Sequence, residues 1–278
     1  MTSETALLAG VTGAPIGHSL SPRLHGYWLK KYQINGYYIP VELASDQLEE
    51  GLRALATLGF RGVNVTLPFK EKALAIADKI TDRAALIGAA NTLSFRKNGN
   101  IQADNTDGHG FIANIRQNAP EWEPKVGPAL VLGAGGASRA VISSLLAEGV
   151  PEIRLANRTR SRADMLCEHF GARLKAIDWN RASSEIAEAK TVVNTTSLGM
   201  EGQPALPISL DKIRKNTLVT DIVYTPLMTD FLQAAAAKGC VTVDGLGMLL
   251  HQAAPGFENW FRQKPTVDQG LRDAVLAP

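Results

Sequence analysis

Short apolar runs alternate with longer stretches of helical period along the whole chain. Residues 6–12 (ALLAGVT), 36–42 (GYYIPVE) and 61–67 (RGVNVTL) are short and rich in β-branched or aromatic residues, which predicts strands. Between them, residues 21–32 and 45–59 repeat apolar positions every three or four residues, which predicts helices. Ser21-Pro22 and Ser45-Asp46 are good helix starts, and Gly59 is a good stop. This β-α-β-α-β order predicts a parallel or mostly parallel sheet. Residues 91–104 read differently, as a hairpin with Asn98-Gly99 at its turn.

A helix is predicted from Asp107 to about Gln117, and residues 118–128 then break the pattern with three prolines and a glycine. Residues 129–150 read as a buried strand, a glycine turn and a helix, and residues 152–159 as the next strand. A second series of strands follows at 191–197, 217–224 and 240–245, each ending in polar residues. That edge is where open α/β sheets bind ligands. Residues 246–261 are amphipathic and helical, with a short helix after them.

Composition narrows the class. The 278 residues suit one large domain or two medium ones. A net charge of +2, from 29 basic and 27 acidic residues, is no electrostatic footprint for nucleic acid. Cys167 and Cys240 lack metal-ligand spacing and suit thiols in a reducing compartment. The first residues, MTSETALLAGVTG, lack a signal-peptide pattern, and no apolar run approaches membrane length. The expectation is a soluble cytoplasmic protein without a metal.

Two stretches suggest chemistry. GAGGAS (133–138) follows a strand and opens a helix, the context a dinucleotide site requires. Small residues there let the backbone approach a pyrophosphate, whose charge meets the helix N–H groups. The sixth position, glycine in the usual fingerprint, is Ser138; the bland alternative is a tight strand-to-helix turn, and the strand–turn–helix setting favours the nucleotide reading. The next strand ends Ala156-Asn157-Arg158-Thr159, without the acid that would hold a ribose 2′-hydroxyl. Arg158, with Arg160 and Arg162 nearby, suits a 2′-phosphate instead, which favours NADP. The second stretch, GVNVTLPFK (62–70), brings Lys70 to the end of an apolar strand. Lys70 alone reads as an ordinary surface residue in a first helical turn. Asp107 alone reads as a helix cap, a role for which Asp104 competes. Ser21 too could simply cap its helix; if residues 19–21 are extended, Ser19 and Ser21 share a face and could bind one carboxylate. The five histidines, 18, 25, 109, 169 and 251, have no triad or metal partner and read as structural.

Nine motifs in this order change the weighing: GAPIGHSLSP (13–22), GVNVTLPFK (62–70), GAANT (88–92), NTDG (105–108), GAGGASRA (133–140), ANRT (156–159), NTTSLGM (194–200), DIVYTPLMT (221–229) and DGLGMLLHQA (244–253). Together they resemble the shikimate dehydrogenase family over nearly the whole chain. The resemblance implies a two-domain α/β protein. A mostly parallel substrate-binding domain comprises residues 1–107 and 245–278, with the C-terminal helices returning to it. A Rossmann-like NADP-binding domain, residues 108–244, is inserted. It further implies NADP(H)-dependent reduction of 3-dehydroshikimate to shikimate in aromatic amino-acid biosynthesis, by a monomer or homodimer. Lys70 and Asp107 would be catalytic. Ser19, Ser21, Thr66, Lys70, Asn91, Asp107, Tyr224 and Gln252 would bind substrate. Gly133, Ala134, Gly135, Gly136, Ala137, Asn157, Arg158, Thr159 and Arg162 would bind NADP, with Ile222 and Gly245 near the nicotinamide and Asp82 as a further cofactor position.

Two other readings compete. A quinate or dual quinate/shikimate dehydrogenase using NAD would favour an acid near residue 157, where this chain has Asn157-Arg158. A non-catalytic NADP sensor would tend to lose Lys70 and Asp107, and both are present.

Overall fold

The strand and helix periods of the first hundred residues fold into β1 (Leu7–Gly13), α1 (Ser21–Lys31), β2 (Gly36–Glu42), α2 (Leu48–Thr57) and β3 (Phe60–Val65). Then come α3 (Lys70–Ile76), β4 (Lys79–Ile80), α4 (Asp82–Ile87), β5 (Thr92–Phe95) and β6 (Ile101–Asp104). The structure is a computed structural model that describes residues 5–277. It divides into two compact units, Met1–Thr106 with Leu250–Pro278, and Asp107–Leu249.

The first unit carries a six-stranded sheet in the order β2-β1-β3-β5-β6-β4. β1 is parallel to β2 and β3, and β4 to β6, while the β5–β6 hairpin runs antiparallel beside β3. Gly99 takes the left-handed conformation in the hairpin turn. α2 is shorter than its period predicts, because residues 45–47 form a separate turn closed by Gln47 N–H to Ala44 O (3.1 Å).

Alternation along β3 sorts the two faces of this sheet. Val63 and Val65 face an apolar layer with Leu48, Leu52 and Leu55 of α2 and with Phe69 and Ala73. Asn64 belongs to the opposite face, with Tyr38 and the rings of His25, Trp28, Phe257 and Trp260. Gly62 must be a glycine there: a Cβ would lie 2.1 Å from both Trp260 Nε1 and Leu93 O. In β1 the fully buried Thr12 hydroxyl has no hydrogen-bond partner. Thr12→Val keeps the shape and removes that group. It is expected to stabilise the protein by about 1 kcal/mol, read as a higher urea midpoint at unchanged slope.

The second unit begins with α5 (Asp107–Asn118), β7 (Ala129–Leu132), α6 (Gly136–Ala147), β8 (Ile153–Ala156), α7 (Arg160–Phe170) and β9 (Leu174–Ile177). It continues with α8 (Ala182–Glu185), β10 (Thr191–Asn194), β11 (Leu218–Asp221), α9 (Asp230–Ala237) and β12 (Val241–Val243). Its strands, all parallel, lie in the order β9-β8-β7-β10-β11-β12. That is the doubly wound order, with its reversal between β7 and β10. β7, β10 and β11 are buried at every position, as strands covered on both faces must be. The proline-rich residues 118–128 contain a single 3-10 turn, and Trp122 Nε1 pins them by donating to Thr191 Oγ1 (2.9 Å).

α10 (Leu246–Phe261) starts in the second unit and continues into the first, followed by α11 (Gln269–Leu276). Trp28 Nε1 donates to Thr266 O (2.9 Å), which ties the C-terminal segment to α1.

Candidate active site

The glycine turn lies where the strand order of the second sheet reverses. Gly133 has φ +105°, and a Cβ on it would meet Thr195 Oγ1 at 2.9 Å and Thr196 Cγ2 at 2.8 Å. This close approach of β7 to the end of β10 forbids a side chain. Gly135 and Gly136 differ: a Cβ on either would meet nothing within 4 Å. The N-terminal amides of α6 therefore border open space at the position a pyrophosphate requires, and the turn fits a dinucleotide. Ser138 is fully buried and donates to Gly135 O (2.6 Å), so the residue that departs from the fingerprint holds the turn closed. Ala134 and Ala137 complete the loop, and Asn157 braces it from β8: its Oδ1 accepts from Ala134 N (3.0 Å), while its Nδ2 donates to Thr159 O (2.7 Å).

Of the three arginines after β8, Arg160 is committed elsewhere, to Asp164 (2.9 Å) and Asp178 (2.6 Å). Arg158 and Arg162 are exposed and have no ion-pair partner among the described residues. No carboxylate stands at the end of β8.

The ends of β10 and β11 are cross-braced. Asn194 Nδ2 donates to Asp221 Oδ1 (3.0 Å), and Asp221 also accepts from Val223 N (3.0 Å) and Thr229 Oγ1 (2.9 Å). Burial raises the Asp221 carboxyl above the ordinary range, and these donors oppose the rise. Ile222 follows directly. A Cβ on Gly245 would lie 2.5 Å from Ile222 C and O, so this glycine fixes the Ile222–Val223 backbone by close contact. Tyr224 is past the end of β11, half-buried, and burial pushes its phenol up.

In the first unit the polar residues converge at the ends of β1, β3 and β5. The chain leaves β3 through Thr66, whose carbonyl accepts from Phe69 N (3.0 Å). That turn starts α3 at Lys70, a half-buried residue whose carbonyl accepts from Ala90 N (2.9 Å). Asn91 is nearly inaccessible, and its amide is bonded at both ends. Its Oδ1 accepts from Thr106 N (2.8 Å) and Thr92 Oγ1 (2.9 Å); its Nδ2 donates to Thr106 Oγ1 (3.0 Å) and Gln252 Oε1 (3.1 Å). Residues 19–21 are not extended, because Leu20 has φ −80° and ψ −8°. Ser19 Oγ accepts instead from Ser21 N–H (3.3 Å), so the two serines lie in one tight turn at the head of α1 rather than on one face of a strand.

The partners of Asp104 take it out of the competition with Asp107. Asp104 accepts from Thr81 Oγ1 (2.7 Å) and Arg83 Nε (2.6 Å); burial raises its carboxyl, and these donors more than offset that, leaving it below the usual range. Asp107 is buried and heads α5. Gly108 lets that helix approach α6 closely, since a Cβ would lie 3.0 Å from Ala140 O. Asp82 is exposed in the first turn of α4, between the two residues that hold Asp104.

Residues 11–93 match a family described as the shikimate dehydrogenase substrate binding domain, and residues 118–206 match one described as shikimate / quinate 5-dehydrogenase. A protein from Paracoccus denitrificans (strain Pd 1222) named shikimate dehydrogenase (NADP(+)) is 61% identical over 276 residues, covering 99% of this chain and 98% of its own. The chain belongs to the shikimate dehydrogenase family. Among solved structures of similar fold is a shikimate 5-dehydrogenase from Thermus thermophilus in complex with NADP(H) and shikimate. It has a TM-score of 0.87 and 38% identity, covering 97% of this chain and 98% of that one. Another is a quinate dehydrogenase from Corynebacterium glutamicum in complex with NAD, with a TM-score of 0.90 and 30% identity over 98% and 99% of the two chains.

Sequence reasoning about this family member misses several supporting residues. Thr92, Thr106, Asn194, Thr195 and Asp221 hold assigned residues in place, yet each reads in sequence as an ordinary polar strand end. Tyr38 gives no signal at all, because its role depends on a contact 26 residues away in the chain. Among the described residues no cluster could hold a metal ion, and no helix is long and apolar enough to cross a membrane.

Proposed function

We propose that the protein is an NADP-dependent oxidoreductase that interconverts 3-dehydroshikimate and shikimate in the cytoplasm, as a step of aromatic amino-acid biosynthesis. The observation that carries this reading is the end of β8. There Arg158 and Arg162 lack ion-pair partners among the described residues, and no carboxylate replaces them. That favours a 2′-phosphate over a free ribose hydroxyl.

Residues 1–107 with 245–278 bind the substrate in this reading, and residues 108–244 bind NADP. Gly133 to Ala137 present α6 amides to the pyrophosphate, Asn157 holds that loop in shape, and Thr159 starts the helix beside it. Arg158 and Arg162 meet the 2′-phosphate, and Ile222 and Gly245 shape the nicotinamide position. Asp82 serves as an outlying cofactor contact. Nicotinamide supplies or accepts the hydride. Ser19 and Ser21 hold the substrate carboxylate. Thr66, Asn91, Tyr224 and Gln252 match its ring oxygens with groups that donate and accept. Lys70, as an ammonium, stabilises charge growing on the carbonyl oxygen and passes its proton to it. Asp107 favours the charged lysine. In the oxidative direction Lys70, as the free amine, takes the proton back.

The test is nicotinamide reduction by the purified protein across shikimate or quinate with NADP or NAD. Turnover is expected with shikimate and NADP. Arg158→Gln is expected to raise the KM for NADP by about 10- to 100-fold, the loss of a charge-assisted bond, while NAD kinetics stay within about twofold. Preference for quinate and NAD would move the protein to the activity of the Corynebacterium neighbour. NADP binding without turnover would leave the sensor reading.

A further inference from the structure

One buried polar connection has no part in the assignments above. Tyr38 belongs to the edge strand β2, yet its side chain is 7% exposed while Tyr37 beside it is 60% exposed. Tyr38 is in register with Ala9 of the neighbouring strand β1, a small residue, and the phenol reaches across β1 toward β3. Its hydroxyl donates to Asn64 Oδ1 at 2.7 Å. Asn64 Nδ2 donates onward to Thr92 Oγ1 (3.2 Å) and to Asn91 O (3.2 Å). Thr92 Oγ1 donates to Asn91 Oδ1 (2.9 Å), and Asn91 Nδ2 donates to Gln252 Oε1 (3.1 Å). Five side chains thus form one relay, from the edge strand β2 to the amide on α10. Every one of them is buried.

The amide orientations are fixed along this relay. Asn64 faces the Asn91 backbone carbonyl, which only accepts, so its NH₂ lies toward β5 and its Oδ1 accepts from the Tyr38 hydroxyl. Asn91 Oδ1 already accepts a backbone N–H, so its NH₂ must face Gln252. The phenol ring is itself held flat. His25 stacks on it with centroids 3.8 Å apart and planes 2° from parallel, and Trp260 packs nearby at 6.2 Å. A ring clamped this way cannot swing to follow a displaced partner, so its hydroxyl is a fixed point.

We infer that Tyr38 is a positioning residue of the substrate site, whose hydroxyl holds the Asn91–Gln252 pair in place through Asn64 and Thr92. The inference rests on the proposed assignment of Asn91 and Gln252 to substrate. Those two contact the ligand; Tyr38 acts only through them. Its effect falls on recognition of a rigid ring whose hydroxyls must be met at once.

The test is steady-state kinetics of the full chain with shikimate and NADP for wild type, Tyr38→Phe, Thr92→Val and the double variant, with melting temperatures for each. Tyr38→Phe keeps the stacked ring and removes the hydroxyl; Thr92→Val cuts the same relay at its far end and reads the proposal if Tyr38→Phe does not fold. Each is expected to raise the KM for shikimate by about tenfold, with kcat within about threefold. The KM for NADP is expected to stay within about twofold, and the double variant to lose less than the product of the singles. Lower melting temperatures with an unchanged KM for shikimate would overturn the proposal and leave a purely structural relay. Wild-type protein that does not turn over shikimate would instead remove the functional reading, and the proposal with it.

Discussion

Lys70→Ala is expected to lower kcat for shikimate oxidation by about 10³-fold, within the usual range for loss of a positioned acid or base. NADP affinity is expected to stay within about twofold, because the glycine turn and Arg158 belong to the other unit. Alanine suits the helix that Lys70 begins, and the backbone bond that Lys70 accepts from Ala90 N–H does not need the side chain. The melting temperature is therefore expected to change little. Two measurements decide the role. If Lys70 moves the proton, kcat falls and the solvent isotope effect on the remaining rate changes. If Lys70 only orients the substrate, KM rises with kcat largely kept. Lys70→Ala with wild-type kcat and KM would remove this residue from the mechanism.

Acid is expected to destabilise the fold through His25. This imidazole is fully inaccessible, stacked on Tyr38 and surrounded by the uncharged rings of Trp28, Phe257 and Trp260. Neither ring nitrogen makes a hydrogen bond of good geometry. Burial takes its pKa down from 6.5 to about 3, with nearby Asn64 opposing the fall. The folded protein therefore keeps a neutral ring where the unfolded chain would bind a proton. Its contribution is complete above pH 6.5 and is lost as the pH falls toward 3. Between pH 7 and pH 4 that loss is about 3 kcal/mol, a sizeable share of a typical domain's stability. Carboxylates such as Asp104 add losses of the same sign, so wild type alone does not isolate the histidine. The difference in unfolding free energy between wild type and His25→Phe does. It is expected to change by about 3 kcal/mol over that interval, in favour of the variant at low pH. A difference that stays constant from about pH 7 to about pH 4, or a His25 resonance that titrates near the ordinary histidine value, would show that the ring is not held neutral by burial.

The glycine positions in the nucleotide turn show how far sequence can be read. GAGGAS places the turn between a strand and a helix, and the structure adds that Gly133 is required by contact with β10 while Gly135 and Gly136 are bare toward open space. No one-dimensional pattern distinguishes those two reasons for glycine. Ser138 shows the same limit: in sequence it departs from the fingerprint, and in the fold it is the residue that ties the turn to itself. Arg160 groups with Arg158 and Arg162 by closeness in sequence. Its partners Asp164, one helical turn on, and Asp178, beyond β9, take it out of the group. The condition under which Ser19 and Ser21 would share a face is not met, since one residue in the helical region at Leu20 breaks the period-two geometry that would put both hydroxyls on one side.

By itself the sequence determined the alternation of strands and helices, the strand–glycine–helix turn, the basic and acid-free end of β8 and the nine motifs that place the chain in its family. All of these are properties of neighbours in the chain, governed by backbone period, turn geometry and charge. Tertiary structure alone decided which polar residues meet. Tyr38, Asn64, Thr92, Asn91 and Gln252 come from four different elements and the approach to β5, and they form one relay only because the strand order β2-β1-β3-β5 and the packing of α10 bring them together. A hydrogen bond needs its atoms within about 3 Å, and separation along the chain carries no information about that distance until the sheet is assembled.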